Sequence, residues 1–340
     1  MAKIAINGFG RIGRLFLKQA FGNPALEIVA INDLGDAENL AYLLKYDTVY
    51  GRFGKKVEAK DGSLVIDGTP IKFLQIQEPT ALPWKELGID IVVESTGVYE
   101  SFEKAKAHLT QGAKRVVITA PAKDDDSSEW KTILMGVNEG ALETVVMSSN
   151  GSCTTNAASP VIQIMSENPG IEKAILNTVH GYTATQSIVD SPVKGNDLRR
   201  GRAAAQNIVP STTGAAIAVT RAITSLQGKF DGISMRIPVV SGSIADITFI
   251  AKRTTTVQEV NGIFKAAAES PRWKGIVKVT EDQIVSSDIL GEPYGAIVDL
   301  GFTKVVDGNL VKVLSWYDNE TGYVSTLVKH VERTAEVLGK

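Results

Sequence analysis

Cysteine is nearly absent from this sequence, and its scarcity excludes several kinds of protein. The 340 residues contain one cysteine, Cys153, so no disulfide can form within the chain and a cysteine-based metal site is not expected. A single thiol suits a reducing compartment. No run approaches the roughly 18 apolar residues of a membrane span, and the opening segment MAKIAINGFG lacks the apolar core of a signal peptide. We therefore expect a soluble cytoplasmic protein with no membrane association.

An excess of positive charge is also lacking. Lys and Arg number 36 against 38 Asp and Glu, a formal net charge of −2, so no bulk positive field exists to hold nucleic acid. Hydrophobic residues make up 44% of the chain and charged residues 22%, which is typical of a globular protein rather than a disordered or fibrous one. The length suffices for two domains. We expect no primary nucleic-acid role and no metal site.

Short β-branched runs alternate with helix-like segments in the first 150 residues. Continuous apolar strands separated by helices predict a parallel sheet covered on both faces. Asp61-Gly62 and Asp67-Gly68 are hairpin turn signals, which predict a small antiparallel addition to this sheet. The predicted strands are Lys3–Asn7, Glu27–Asn32, Asp90–Ser95 and Arg115–Thr119.

The pattern changes after Asn150. Longer alternating runs at Ile171–Val179 and Gly232–Ile250 have few helices between them and predict a largely antiparallel sheet. Residues 182–207 hold turn formers and arginines without a long periodic stretch, which predicts an extended loop. Apolar positions at helical spacing predict an amphipathic helix over residues 319–340.

Three glycines follow the first predicted strand and open a helix. Gly8 permits a tight turn, Gly10 lets the backbone approach a pyrophosphate, and Gly13 lets helix and strand pack closely. A second strand ends at Asp33, 20 residues after Gly13, where a carboxylate would accept hydrogen bonds from an adenosine ribose. Because Asp33 would repel a 2′-phosphate, we expect NAD rather than NADP. The competing interpretation is a generic strand-to-helix turn, with Asp33 as a helix N-cap.

These patterns together predict an α/β chain of two domains. Residues 1–150, completed by the C-terminal helix 319–340, form a doubly wound dinucleotide-binding domain of the Rossmann type. Residues 151–318, which include the loop 182–207, form an α+β catalytic domain with a largely antiparallel sheet.

Polar residues surround Cys153. A free cysteine is usually a small buried hydrophobe. The stretch Ala157–Glu167 has a helical pattern, which places Cys153 near a helix N-terminus, where the dipole and free N–H groups lower a thiol pKa. Ser152 and Thr154 add hydroxyls that suit an anion. We therefore expect a nucleophilic thiolate.

His180 is the candidate base for this thiol. It ends the strand Lys173–Val179 at the entry to the glycine-rich loop, where side chains project into a cleft. His108 and His330 lie in helical stretches, and we expect both on solvated faces. A satisfied strand-end histidine is the alternative for His180.

An activated thiol beside a dinucleotide site points to aldehyde oxidation. Cys153 would add to the carbonyl, the thiohemiacetal would pass hydride to the nicotinamide and leave a thioester, and His180 would take and return the proton. Guanidinium groups and hydroxyls suit a phosphate that accepts the acyl group, although a surface or inter-subunit salt bridge is the alternative for each arginine. These candidates are Arg199, Arg200, Arg202, Arg236, Thr183, Ser211, Thr212 and Thr213.

With these motifs the chain resembles the phosphorylating glyceraldehyde-3-phosphate dehydrogenases of the NAD-preferring type. The resemblance covers essentially all 340 residues through INGFGRIGR, INDL, LLKYD, VVESTG, SCTTN, HGYTATQ, LRRGRAAAQNIVPSTTGAA and SWYDNETGY. It implies oxidation of glyceraldehyde 3-phosphate with NAD and inorganic phosphate to 1,3-bisphosphoglycerate. It also implies a homotetramer whose loop 182–207 approaches the cofactor of a neighbouring subunit.

The resemblance further implies residue roles. Cys153 is implied as the nucleophile and His180 as the group that activates it. Contacts with NAD are implied for Arg11, Ile12, Asp33, Gln77, Thr119, Asn319 and Tyr323. Contacts with the substrate phosphate are implied for Thr183, Arg200 and Arg236, and contacts with the attacking phosphate for Ser152, Thr154, Thr213 and Gly214.

Several positions depart from the usual pattern of that family. Gly151 stands where alanine is common and Gly181 where serine is frequent, and because they flank Cys153 and His180 in sequence we expect looser geometry there. The other departures are Ala157, Ile217, Thr321 and the segment Val239–Gly242.

Two alternative functions stay open. Erythrose-4-phosphate dehydrogenase uses the same thiol chemistry, although the turn Ser211–Gly214 favours the triose enzyme. A non-enzymatic NAD-binding regulator or RNA-binding module on the same fold is the alternative from another class. Such a binder would function without the Cys153 thiol, whereas a dehydrogenase would lose turnover and retain its affinity for NAD.

Overall fold

A computed structural model describes residues 1–193 and 195–339 of the chain. The chain divides into two compact units. The first unit comprises residues 1–133, 138–151 and those from 327 onward, and the second comprises residues 134–137 and 152–326. Lys194, in the predicted loop, and Lys340, at the end of the predicted C-terminal helix, lie outside the described residues.

The first unit alternates strands and helices. Its helices are α1 (Arg11–Ala20), α2 (Ala37–Lys45), α3 (Trp84–Leu87) and α4 (Phe102–Thr110). Its strands are β1 (Ala2–Asn7), β2 (Leu26–Asn32), β3 (Tyr46–Asp47), β4 (Gly51–Arg52), β5 (Val57–Lys60), β6 (Ser63–Ile66), β7 (Thr69–Leu74), β8 (Ile91–Glu94), β9 (Arg115–Ile118), β10 (Trp130–Thr132) and β11 (Met147–Ser149).

The main sheet of this unit has the strand order β10-β11-β9-β8-β1-β2-β7-β6-β5. Strands β10 to β7 in this order run parallel, which confirms the predicted parallel sheet. The chain moves from β1 to one side through β2 and β7 and later to the other side through β8. In such sheets a ligand crevice forms beyond the carboxyl ends of the strands where the order reverses, here between β1 and β8.

The predicted hairpins form the antiparallel edge of this sheet. β5 pairs with β6 and β6 with β7, both antiparallel. Asp61 and Asp67 have φ of 50° and 48°, and the glycine after each also has a positive φ. Two consecutive residues of positive φ suit a tight hairpin turn, which is why Asp-Gly pairs occur there.

The second unit is built on a different sheet. Its strands are β12 (Ile171–Gly181), β13 (Val209–Thr212), β14 (Phe230–Ile237), β15 (Ser243–Ala251), β16 (Val277–Thr280), β17 (Ala296–Val306) and β18 (Leu310–Tyr317). Its helices are α5 (Cys153–Glu167), α6 (Ala215–Ala222) and α7 (Val257–Glu269). The chain ends in α8 (Thr321–Leu338).

The sheet of the second unit has the order β13-β14-β12-β15-β18-β17-β16. The pairs β12–β14 and β16–β17 are parallel and the other neighbours antiparallel, which confirms the predicted largely antiparallel sheet. Side chains of α5, α6 and α7 form one hydrophobic core with alternate residues of the sheet, among them Ile162, Val219, Phe264, Ile247 and Val313. This core supports α5, the helix that Cys153 begins.

The predicted loop has little regular structure. Within residues 182–193 and 195–207 the regular element is a 3₁₀ turn at Leu198–Gly201. The predicted C-terminal helix is α8. Among the described residues, no helix combines the length and apolar character that crossing a membrane requires.

The expectation that His108 and His330 face solvent is wrong. Both side chains are wholly buried. His108 receives a hydrogen bond from the indole of Trp84 and lies 3.0 Å from Glu94 Oε2. His330 lies 2.7 Å from Ser148 Oγ and 3.1 Å from Asn150 Oδ1. A polar residue in a helical pattern resembles a surface residue, because the pattern does not contain the distant partners that make its burial tolerable.

We expect His330 to make stability depend on pH. Burial lowers the pKa of His330 from 6.5 to about 4. Between pH 7 and pH 5 the imidazole therefore takes up a proton in the unfolded chain but not in the folded one. Because of His330, the free energy of unfolding should fall by about 2 kcal/mol over this range. Urea unfolding at the two pH values should show a smaller fall in the free energy of unfolding for His330→Gln than for the wild type. An equal loss in both proteins would contradict the assignment.

Candidate functional site

Two of the three glycines after β1 are required by close packing. Gly8 has a φ of 94°, and a Cβ there would lie 2.5 Å from the backbone nitrogen of Thr96. A Cβ on Gly13 would overlap the carbonyl oxygen of Gly8. Gly10, the residue before α1, has no atom within 4 Å of the position of a Cβ. The open space above Gly10 lies at a helix N-terminus, where free N–H groups favour an anion.

A cavity of about 420 Å³ lies at the carboxyl ends of the strands in the first unit. Its walls include Gly8, Gly10, Asp33, Gln77 and Thr96. The structure thus brings together four of the residues expected to contact NAD. Arg11 and Ile12, at the start of α1, and Thr119, after β9, do not belong to the described wall of this cavity.

Asp33 is held by backbone groups rather than serving as a helix cap. Its carboxylate accepts hydrogen bonds from the N–H of Phe9 at 2.6 Å and of Gly35 at 2.8 Å. Asp36 caps α2 instead, by accepting from the N–H of Asn39 at 2.9 Å. The alternative interpretation of Asp33 as an N-cap is therefore wrong, and its carboxylate is fixed in the wall of the cavity.

Asn319 and Tyr323 belong to the second unit and are both buried. The amide oxygen of Asn319 accepts hydrogen bonds from Gly242 N at 3.1 Å and Ser243 Oγ at 2.9 Å. These two bonds orient the carboxamide so that its nitrogen is directed away from the segment Ser241–Ser243. Tyr323 lies in the first turn of α8.

Cys153 is the first residue of α5 and lies beside His180 at the end of β12. The distance from Cys153 Sγ to His180 Nε2 is 3.3 Å. His180 Nδ1 lies 2.6 Å from the carbonyl oxygen of Gly181, which can only accept a hydrogen bond, so Nδ1 carries the proton. Nε2 is then the unprotonated nitrogen, and it faces the thiol as a proton acceptor.

Burial changes the protonation expected at this pair. Burial raises the pKa of Cys153 to about 11, against the lowering effects of the Thr154 N–H and the charge of Arg236. Burial also lowers the pKa of His180 to about 4, and Arg236 lowers it further. Desolvation of the thiol therefore opposes the thiolate that the helix N-terminus and Arg236 favour.

Two arginines expected at the substrate phosphate lie close to this pair. Arg236 is the β14 neighbour of His180, and its guanidinium donates to Thr183 Oγ1 at 3.1 Å. Arg200 donates to Ser211 Oγ at 2.9 Å and pairs with Asp197 at 3.0 Å. The positive charges of Arg236 and Arg200 both lower the pKa of His180.

The other loop arginines are engaged elsewhere. Arg202 forms an exposed ion pair with Asp190 at 2.8 Å, which is the salt-bridge alternative stated for these residues. Arg199 donates to the carbonyl oxygen of Pro210 at 3.4 Å. Neither contact places these arginines beside Cys153.

The groups expected at the attacking phosphate lie at two helix N-termini. Ser152 caps α5 by accepting from the N–H of Thr155 at 3.1 Å. Gly214 precedes α6, and Thr213 Oγ1 accepts from the N–H of Ala215 at 3.2 Å. Thr154 is buried, with its hydroxyl 2.9 Å from that of Tyr317.

Sequence reasoning missed Tyr317. Its ring lies edge-on to His180, with centroids 5.9 Å apart, and its hydroxyl also contacts Thr178 at 2.6 Å. Burial raises the pKa of the Tyr317 phenol, so the hydroxyl keeps its proton and can donate. Its place in the motif SWYDNETGY was the signal that the sequence offered. A buried tyrosine needs a hydrogen-bond partner, which Thr154 and Thr178 provide here.

Gly181 does not loosen the site. A Cβ at this position would lie 2.8 Å from the carbonyl oxygen of Val239, so the missing side chain allows a close approach. That oxygen accepts the N–H of Tyr182 at 2.9 Å. Two departures from the family pattern, Gly181 and the segment Val239–Gly242, therefore contact each other and fit together.

Comparison with known proteins identifies the family. Residues 2–102 match the NAD binding domain of glyceraldehyde 3-phosphate dehydrogenase, and residues 152–319 match its C-terminal domain. The chain is 49% identical over 337 residues to the glyceraldehyde-3-phosphate dehydrogenase of Thermotoga maritima, with 98% of each chain covered. It is 46% identical over 341 residues to that of Clostridium pasteurianum, with 99% of each covered. This chain belongs to the glyceraldehyde-3-phosphate dehydrogenase family.

Membership of the glyceraldehyde-3-phosphate dehydrogenase family confirms three expectations. The chain is an NAD-dependent oxidoreductase, its cofactor is NAD, and its fold joins a Rossmann-type parallel sheet to a domain with a mostly antiparallel sheet. The Streptomyces coelicolor dehydrogenase, 48% identical over 329 residues with 96% of each chain covered, is a further relative.

Two glycine variants should separate packing from binding. Gly13→Ala should lower the melting temperature, because its methyl overlaps Gly8. Gly10→Ala should leave the melting temperature nearly unchanged and weaken NAD binding by about tenfold, because its methyl meets no protein atom but occupies the approach to the helix N-terminus. Calorimetric titration with NAD measures the affinities, and normal binding by folded Gly10→Ala would contradict the assignment.

Removal of the Arg236 charge should slow alkylation of Cys153. Because that charge lowers the pKa of the thiol, Arg236→Gln should reduce the iodoacetamide rate constant at neutral pH by about three- to tenfold. Arg202→Gln is the control, since Arg202 pairs with Asp190 on the surface, and should react like the wild type. Equal rates in Arg236→Gln and the wild type would exclude this electrostatic effect.

Proposed function

We propose that this chain oxidises glyceraldehyde 3-phosphate with NAD and inorganic phosphate to 1,3-bisphosphoglycerate, a step of glycolysis, through a thioester on Cys153. The observation that carries the proposal is the 3.3 Å approach of Cys153 Sγ to His180 Nε2, with Nδ1 held by the Gly181 carbonyl oxygen. That arrangement supplies a nucleophile and a base in the tautomer that can deprotonate it.

The first steps use Cys153 and His180. Nε2 takes the thiol proton as Sγ attacks the aldehyde carbon, and returns it to the resulting alkoxide to give a thiohemiacetal. The carbonyl oxygen of Gly181 holds the imidazole proton on Nδ1, so Nε2 is the nitrogen that accepts the thiol proton. In the oxidation, Nε2 takes the hydroxyl proton while the carbon loses its hydrogen as hydride, which leaves a thioester on Sγ. NAD, when bound, supplies the acceptor for that hydride.

Phosphate then replaces the enzyme sulfur. An oxygen of inorganic phosphate attacks the thioester carbonyl, the carbon–sulfur bond breaks, and the leaving thiolate recovers a proton from His180. We assign Thr183, Arg200 and Arg236 to the substrate phosphate, since two guanidinium groups and a hydroxyl suit phosphate oxygens. Ser152, Thr154, Thr213 and Gly214 are assigned to the attacking phosphate. Ser152 and Gly214 directly precede α5 and α6, and the free N–H groups of a helix N-terminus support this assignment.

The first unit has the features that NAD requires. Its cavity, the open helix N-terminus at Gly10 and the fixed carboxylate of Asp33 support the assignment of Gly8, Gly10, Gly13, Asp33 and Gln77 to this cofactor. Arg11, Ile12, Thr119, Asn319 and Tyr323 are assigned to it from the family pattern. In this proposal residues 1–150 with the C-terminal helix bind NAD, and residues 151–318 carry the chemistry.

We further propose a cytoplasmic homotetramer whose loop 182–207 approaches a neighbouring subunit. Exposed apolar side chains of the second unit, three of them within this loop, support an interface there. They are Ile175, Ile188, Val189, Leu198, Ile208 and Ile233.

Turnover should require both phosphate and the thiol. NADH formation from glyceraldehyde 3-phosphate and NAD is measured by absorbance with and without inorganic phosphate. Cys153→Ser should lower turnover by at least about 1,000-fold, because the hydroxyl is a much weaker nucleophile, and leave the Kd for NAD unchanged. His180→Asn should lower kcat by about 100-fold or more through loss of the base.

Three results would each contradict a part of this proposal. Equal rates with and without phosphate would remove the phosphate assignments. Full function in Cys153→Ser would favour a binding protein over a dehydrogenase. A higher kcat/KM for erythrose 4-phosphate than for the triose phosphate would transfer the assignment to the related four-carbon sugar phosphate dehydrogenase.

A further inference from the structure

Two buried titratable side chains of the first unit take no part in the proposed chemistry. His108 on α4 is wholly buried, and Glu94, the last residue of β8, is 2% exposed. A buried carboxylate is unfavourable unless hydrogen-bond donors surround it. The hydrogen-bond donors around Glu94 therefore identify the parts of the first unit that its carboxylate holds in place.

The hydrogen bonds of His108 fix its tautomer. Trp84 Nε1 lies 3.0 Å from His108 Nδ1, and an indole N–H can only donate. Nδ1 is therefore the unprotonated nitrogen and Nε2 carries the proton. His108 Nε2 lies 3.0 Å from Glu94 Oε2, so the imidazole donates to the carboxylate.

Glu94 accepts from donors on both of its oxygens. Oε2 receives the Nδ2 amide of Asn7 at 2.6 Å in addition to His108. Oε1 receives the backbone N–H of Thr96 at 2.8 Å and the hydroxyl of Thr96. A carboxylate can accept all of these bonds at once, and no neutral isostere can do so.

The same network continues to the wall of the cavity. Asn7 Oδ1 accepts from Asn32 Nδ2 at 2.8 Å. Asn32 in turn binds both backbone groups of Ile76, donating to the oxygen at 2.9 Å and accepting from the nitrogen at 2.9 Å. Asn7, Asn32, Ile76 and Thr96 all line the cavity, and Ile76 precedes Gln77. The carboxylate thus connects the ends of β8, β1 and β2 with the segment after β7.

We propose that Glu94 is a positioning residue for the adenosine side of the NAD cavity, and that His108 supports it as a donor of fixed tautomer. The proposal rests on the proposed binding of NAD in the first unit. Glu94 acts through Asn7 and Asn32 on the backbone at Ile76 and Gln77, and directly on Thr96. It preorganises the wall, so that less ordering is required when the ligand binds.

Glu94→Gln is the isosteric test. In either orientation of the new amide, its NH₂ group faces hydrogen-bond donors that an oxygen of Glu94 accepts in the wild type. These donors belong either to Asn7 and His108 or to Thr96. We expect the Kd for NAD and for ADP-ribose, measured by calorimetry, to rise by about tenfold, the effect of one buried donor left without an acceptor. The kcat at saturating NAD and the KM for the aldehyde should stay within about twofold of the wild type, since the second unit is unaltered.

Leu142→Ala is the matched control for a loss of stability alone. Leu142 is buried in a separate small cluster of the first unit with Ile133 and Val145. This variant should lower the melting temperature and leave the Kd for ADP-ribose unchanged. If Glu94→Gln behaves in the same way, Glu94 has a structural role only and the proposal is wrong.

A measurement on the wild type tests the positioning role of Glu94 even if Glu94→Gln does not fold. Because coupling between two sites is reciprocal, ADP-ribose in the cavity should stabilise the network that shapes its wall. Hydrogen exchange of the Trp84 indole N–H, followed by NMR, should slow by about fivefold or more when ADP-ribose is saturating. An unchanged rate with bound ADP-ribose would overturn the positioning role and leave the proposed function intact. Failure of the wild type to bind NAD or ADP-ribose would instead contradict the proposed function.

Discussion

The hydrogen bond from His180 Nδ1 to the carbonyl oxygen of Gly181 is the interaction on which the reactive centre depends. A carbonyl oxygen accepts and never donates, so this 2.6 Å bond leaves Nε2 without a proton and directed at the thiol of Cys153. His180 lies opposite Arg236 where β12 pairs with β14. A shift of one residue in the register of β12 would turn His180 to the other face of the sheet.

The same principle operates at the carboxyl end of β8, a central strand of the main sheet in the first unit. There the partner of Nδ1 is an indole N–H rather than a carbonyl oxygen, so the proton of His108 is on Nε2 and points at Glu94. One buried histidine is thereby held as an acceptor facing a thiol, and the other as a donor facing a carboxylate. The chemical difference between them comes from one neighbouring group in each case, since the two imidazoles are otherwise identical.

Burial determines the charge state of the reactive groups as strongly as their neighbours do. The N-terminus of α5 and the charge of Arg236 favour a thiolate at Cys153, whereas desolvation opposes it. The opposite effect on His180 leaves a neutral base. The expectation of a nucleophilic thiolate rested on the helix N-terminus and did not include this cost of burial.

The sequence by itself determined the strands Lys3–Asn7 and Arg115–Thr119, the Asp-Gly hairpins, the glycine turn after β1, and the pairing of Cys153 with His180 as candidates. These features depend on local periodicity and on backbone conformations that few residues adopt. Tertiary structure alone decided the burial of His108 and His330, the role of Tyr317, and the fit of Gly181 against Val239. Each of these depends on partners that are distant in the sequence, and whether a polar side chain is buried follows from the donors and acceptors that folding brings to it.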